Sequence, residues 1–103
     1  MKTYNKIIEA IIEAKSKIKK NTGINERYDI FADELRKKGL NFVNVGEKPC
    51  GGAVFSILRM KGKYRVNYRC GYSRHNYAPC VEVISNTMKE QIADFKFELI
   101  CYG

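Results

Sequence analysis

Between residues 38 and 41 the spacing of apolar residues changes from that of a helix to that of a strand. No other feature constrains the fold of this chain as strongly, because a 3.6-residue period and a two-residue period cannot be satisfied by one kind of element. Before the switch, Tyr4, Ile7, Ile8, Ile11, Ile12, Ala14 and Ile18 recur along one stripe, with Lys and Glu between them. The pattern predicts a core-facing amphipathic helix over 3–20. Its last residues, KSKIKK at 15–20, put positive charge where the helix dipole favours it, and Asn21, Thr22 and Gly23 end it. A second helix is expected over 26–38, capped by Asn25, with Tyr28, Phe31, Ala32 and Leu35 as its stripe. Gly39 suits the left-handed residue that closes such a helix. The short link between the two implies an antiparallel pair.

After the switch, NFVNV at 41–45 reads as a short strand and GEKPCGG at 46–52 as a turn-rich loop. The segments 53–60 and 63–70 flank Lys61-Gly62, a tight hairpin signal. A two-residue loop there sets Ile57 opposite Val66, Phe55 opposite Tyr68 and Ala53 opposite Cys70, which gives one apolar face. The other face then carries Lys63, Arg65, Asn67 and Arg69, with Val54, Ser56, Leu58 and Met60 alongside. Residues 80–85 read as a further strand and 86–94 as a helical turn or two. Residues 95–102 alternate cleanly, with Phe95, Phe97, Leu99 and Cys101 inward. The expected architecture is α+β: two N-terminal helices, then a mainly antiparallel sheet of four to five strands with a short helix before the last.

A chain of 103 residues is one domain, residues 1–103, and at this length one apolar core suffices without staples. No segment is long and apolar enough to span a bilayer. Glu9 and Glu13 interrupt what would be the apolar part of a secretory signal, so a cytoplasmic protein with reduced cysteines is expected. Abundant Lys, Asn, Ile and Tyr fit an AT-rich coding sequence, as in a low-GC bacterium, its phages or its plasmids.

The functional signal is charge. The chain holds 19 basic and 11 acidic residues, a formal +8, which favours acidic partners. Between Glu47 and Glu82 there is no acid, while Lys48, Arg59, Lys61, Lys63, Arg65, Arg69 and Arg74 all fall there. The same interval holds Tyr64, Tyr68, Tyr72 and Tyr77. Cations that neutralise phosphates and aromatic rings that stack on unpaired bases are what a nucleic-acid surface needs. The hairpin register turns Tyr64 and Tyr68 inward as packing residues. The competing reading is a solvated strand face with no partner.

Two further chemistries are weaker on the residues. Cys50, Cys70, His75 and Cys80 are of the right type for zinc, but their gaps of nineteen, four and four residues lack the close pairs that structural sites use. No metal or other cofactor is therefore expected. His75, beside Arg74 and Tyr77, has the makings of a general acid or base, yet a neighbouring Arg disfavours its protonated form. Gly51-Gly52 lacks the Lys-Ser/Thr of a phosphate loop.

The expectation is thus a small, basic, non-enzymatic protein that docks on nucleic acid or on a ribonucleoprotein. The contact residues would be Lys61, Lys63, Arg65, Arg69, Tyr72, Arg74, His75 and Tyr77, on the hairpin and the 71–79 loop. Two alternatives stand beside it. One is a phage- or plasmid-encoded inhibitor that binds an acidic surface of a host nuclease or CRISPR effector. The other is a metal-independent ribonuclease of toxin type.

Overall fold

A computed structural model describes residues 3–50, 55–60, 62–69 and 77–85. Two helices, α1 (Thr3–Lys17) and α2 (Ile24–Lys37), precede four strands: β1 (Phe42–Pro49), β2 (Ile57–Met60), β3 (Lys63–Asn67) and β4 (Tyr77–Ile84). The strands form one antiparallel sheet in the order β1-β4-β3-β2. The α+β arrangement follows the periodicity of the sequence. The expected helix over 86–94 and strand over 95–102 lie outside the described residues.

In α1, Ile7, Ala10, Ile11 and Ala14 are buried and Tyr4, Ile8 and Ile18 pack against them, so the core stripe runs i, i+3, i+4 along one side. Ile12 was assigned to that stripe but is 54% exposed. It follows Ile11 directly, so the 100° turn per residue carries it off the buried side. In α2 the buried side is Phe31, Ala32 and Leu35. This helix starts two residues before the expected position: Gly23, with extended backbone and no side-chain cap, is its N-cap in place of Asn25. Its other end is as expected. Gly39, at φ 71°, donates its N–H to the Arg36 carbonyl, and Leu40 donates to Leu35, which satisfies two carbonyls the helix would leave open.

Both helices cover one face of the sheet, called here the inner face. Ile57, Tyr64, Val66, Tyr68, Val81 and Val83 form a single core there with Phe31, Phe55 and the α1 stripe. The rings interlock in pairs. Phe31 meets Phe55 edge-on at 5.1 Å between centroids, Tyr28 meets Tyr68 at 5.2 Å and Tyr4 meets Tyr64 at 5.8 Å. Phe55 holds a left-handed backbone (φ 53°), rare for a bulky residue, and is fully buried, so the ring contact secures a strained turn.

The hairpin pairs Ile57 with Val66 and Met60 with Lys63, the register expected from Lys61-Gly62. Two strands are longer than the sequence suggested. β1 runs on through Gly46–Pro49, read from the sequence as loop, because a bulge after Asn44 absorbs the turn signal. Gly46 takes φ 70°, the Asn44 side chain accepts its N–H at 3.1 Å, and pairing with β4 resumes at Gly46–Cys80. β4 starts at Tyr77 rather than residue 80, with Pro49 opposite Tyr77.

Candidate functional site

The opposite, outer face of the sheet carries the chemistry. Strand pairing arranges its side chains in cross-strand rows. Ser56, Asn67, Cys80 and Gly46 form one; Leu58, Arg65, Glu82 and Val43 form the next; Met60, Lys63 and Ile84 form the last. Alternation had placed Ser56, Leu58, Met60, Lys63, Arg65 and Asn67 on this face. What it had not placed is Glu82, which β4 inserts beside the hairpin.

Glu82 changes the electrostatics of the basic strand. Lys63 Nζ lies 2.9 Å from its Oε1, and Arg65 Nε and Nη2 each lie 2.9 Å from its Oε2. Arg65 Nη1 also donates to the Pro49 carbonyl at 2.9 Å. The Arg65 and Glu82 side chains are 13% and 11% exposed, and Lys63 is 39% exposed. Burial alone would raise the Glu82 pKa, but the bonds and charges of Lys63 and Arg65 outweigh it and hold the carboxyl below its ordinary range. Arg65 is therefore an inward-tied residue of the sheet, and Lys63 keeps only part of its charge for solvent.

The remaining candidates divide by position. Arg69 is partly buried just beyond β3, and Tyr77 is 53% exposed at the first position of β4 rather than in a loop. Lys61, Tyr72, Arg74 and His75 lie outside the described residues, as do Cys70 and Cys101. Tyr64 and Tyr68 are buried inward, as their register required. The Tyr68 hydroxyl donates to Asn44 at 3.1 Å, so it also fastens β1 beside the bulge.

Other cations are also engaged. Lys17 of α1 pairs with the buried Glu34 of α2, joining the helices where both carry excess charge. The bond from Lys17 lowers the Glu34 pKa, against an opposing effect of burial. Lys37 pairs with Asp33 at 3.1 Å and Lys38 with Glu9 at 3.7 Å. Arg36 lies over the Phe42 ring and Arg59 over the Tyr4 ring, at 5.5 and 5.3 Å. Lys15, Lys19, Lys20 and Lys48 are exposed and enter no ion pair among the described residues. The first three are the KSKIKK segment, which the sequence reading had credited only with the helix dipole.

The second outer-face feature is a buried thiol cluster. Cys50, Leu58, Ala78 and Cys80 form a small core of their own, with Val45 and Met60 against it. Cys50 follows β1 and lies over the Ser56-Asn67-Cys80 row. Its Sγ is 3.6 Å from the Ser56 carbonyl and Oγ and 3.5 Å from the Arg65 carbonyl, while the Cys80 thiol donates to the Ala78 carbonyl at 3.1 Å. The Asn67 amide donates to Ser56 Oγ, which lies 3.6 Å from the Cys50 sulfur. By residue type Cys50 and Cys80 go with Cys70 and His75 as candidate zinc ligands, at a spacing that speaks against a site. Among the described residues no group of three or more His, Cys, Asp or Glu could hold a metal. The signal that joins Cys50 to Cys80 is the β1–β4 pairing, which brings together residues distant in sequence.

Comparison with known protein families, curated proteins and solved structures finds no match to this chain.

Proposed function

We propose that this protein is a non-enzymatic binding module that docks on nucleic acid, or on a complex carrying it, through its basic surface. The carrying observation is that, in a chain of formal charge +8, Lys15, Lys19, Lys20 and Lys48 stand exposed and enter no ion pair among the described residues. Exposed lysines are the groups that release counterions on meeting a phosphate backbone. From the hairpin, Lys63 and Arg69 add charge and Tyr77 adds an exposed ring for stacking. Lys61, Tyr72, Arg74 and His75 belong to this proposal by residue type. Arg65 would act indirectly, by holding Glu82.

The test is binding of a labelled single-stranded RNA and a duplex DNA across a salt series. Affinity should fall linearly with log salt, with a slope of roughly −0.7 to −0.9 per phosphate neutralised. Replacing Lys15, Lys19 and Lys20 together by Ala should make that slope shallower. Absence of binding to both probes at low salt overturns the proposal and directs the search to an acidic protein surface.

A further inference from the structure

At the end of the sheet away from the Lys61-Gly62 turn, strand pairing brings together residues that are distant in sequence. Lys48 pairs with Ala78 and Pro49 with Tyr77. Tyr68 donates its N–H to the Pro79 carbonyl, so the β3–β4 pairing carries on past Asn67 and brings Arg69 to the other side of Ala78. The resulting row is Arg69, Ala78, Lys48, with a small buried residue between two cations. Strands lie about 4.8 Å apart, so the two cations spring from backbone about 10 Å apart. Lys48 is exposed and enters no ion pair among the described residues; Arg69 is partly buried. Tyr77, next to Ala78 in the chain, is 53% exposed. The other described tyrosines are taken up in ring pairs, Tyr4 with Tyr64 and Tyr28 with Tyr68.

We infer, resting on the nucleic-acid docking proposed above, that this end of the sheet is a site for single-stranded nucleic acid, with one unpaired base stacked on Tyr77 and the adjoining phosphates held by Lys48 and Arg69. In a duplex the base faces are covered by their neighbours, and only base edges and phosphates are on offer. Lysines can use either form, but an exposed ring gains only from an unpaired base. Shape favours the same form. Successive residues of a strand point to opposite sides, so the Tyr77 ring and the row through Ala78 lie on either side of the strand end. A duplex is stiff over about 150 base pairs and lies against one side. A single strand can cross the end and touch both. Glu47, opposite Pro79, is turned by the same alternation to the side of the ring, so its charge steers phosphates toward Lys48 and Arg69. Stacking and phosphate contacts of this kind are tolerant of sequence.

The chain contains no Trp, so Tyr77→Trp places a single indole at the site and keeps a stacking surface. This variant is titrated with oligothymidylate and with a DNA duplex of the same length, and saturation is judged by the anisotropy of labelled probe. A base stacked on the indole quenches its emission, so the single strand should quench it and the duplex should not. Tyr77→Ala should weaken single-strand binding roughly fivefold to a hundredfold. It should leave duplex binding and the salt slope as they are, because the ring carries no charge. Tyr77→Phe should bind like the unsubstituted chain. Lys48→Ala should make the single-strand salt slope shallower by about 0.7.

The single-strand site is overturned if oligothymidylate binds at saturation with the indole emission unquenched, or if Tyr77→Ala holds the single strand as tightly as the unsubstituted chain. Both results leave the docking surface standing, since the exposed lysines still bind. Absence of binding to either probe at low salt overturns the docking surface and this site with it. Tyr77 is exposed at the first position of β4, so replacing it leaves the core intact. The denaturant midpoint of each variant separates a loss of stacking from a loss of fold.

Discussion

The two faces of the sheet come from the same four strands, yet they are held by different physics. The inner face is apolar and continuous with the helices: Phe31, Phe55, Val66, Val81 and Val83 are fully buried, and tyrosines close its margin. The outer face is also buried near Cys80, but its contents are a thiol pair, a hydroxyl, an amide and an ion-pair cluster around Glu82. Apolar burial is non-directional and tolerates small shifts. Buried polar groups are stabilising only while every partner is in place, so the outer face is the more specific and the more easily spoiled.

The largest difference between the faces should appear on truncation. Phe31→Ala removes a ring packed against Phe55 and should cost about 3–5 kcal/mol, read from denaturant unfolding. Glu82→Ala leaves Arg65 and Lys63 without their carboxylate. Its cost should be about 2 kcal/mol, between the values for buried and exposed pairs, since Arg65 is largely buried and Lys63 is not. If Glu82→Ala costs as much as Phe31→Ala, the division of labour between the faces is wrong.

The same pair makes a statement about pH. Glu82 and Glu34 both titrate below the ordinary carboxylate value of 4.5. A carboxyl whose folded pKa is depressed contributes stability that is fully present above its unfolded pKa and is lost as pH falls through the folded one. Unfolding free energy should therefore be level from neutral pH down to somewhat above 4.5 and decline below it. Glu82→Gln should start lower and decline less steeply. An acid limb unchanged in Glu82→Gln would mean that the outer-face cluster adds nothing to pH dependence.

How far each face could be read from the sequence follows from the range of its contacts. The inner face was largely legible. The stripe Ile7, Ile11, Ala14 and the hairpin pair Ile57–Val66 are set by spacing within one element or across one turn. Ile12 and the Asn25 cap went astray because stripe width and helix start depend on what lies opposite. The outer face was not legible, because its partners come from strand order. Glu82 meets Arg65 only because β4 lies between β1 and β3, and Cys80 meets Cys50 only because β1 reaches Pro49. Two cations of an acid-free run of sequence, Lys63 and Arg65, thus share one carboxylate in space. Among the described residues, Lys15, Lys19 and Lys20 at the end of α1 and Lys48 on β1 are exposed, and the sequence marks the first three only as a helix terminus.

The bulge is where the sequence misled most, and it gives a smaller effect. Gly46 adopts φ 70° with nothing within 4 Å of the position a Cβ would take. Gly46→Ala should then cost about 1–2 kcal/mol through backbone conformation alone. A cost well above that would mean that the bulge anchors the outer face as well as β1, and that Cys80 and Cys50 shift with it.

The smallest effect on stability belongs to the exposed lysines, and it separates two kinds of cation. Lys19→Ala with Lys20→Ala removes two charges that touch no acid among the described residues, so folding should change by less than about 0.5 kcal/mol. Arg65→Ala removes one charge but breaks its bonds to Glu82 and to the Pro49 carbonyl, and should unfold at visibly lower denaturant. For binding the order reverses: the lysine pair should flatten the salt dependence, and Arg65→Ala should leave it nearly unchanged in the fraction that remains folded. Were Arg65→Ala to flatten the slope while the lysine pair did not, the phosphate-contacting cations would be those of the outer face, and Glu82 would have to yield its partner on docking.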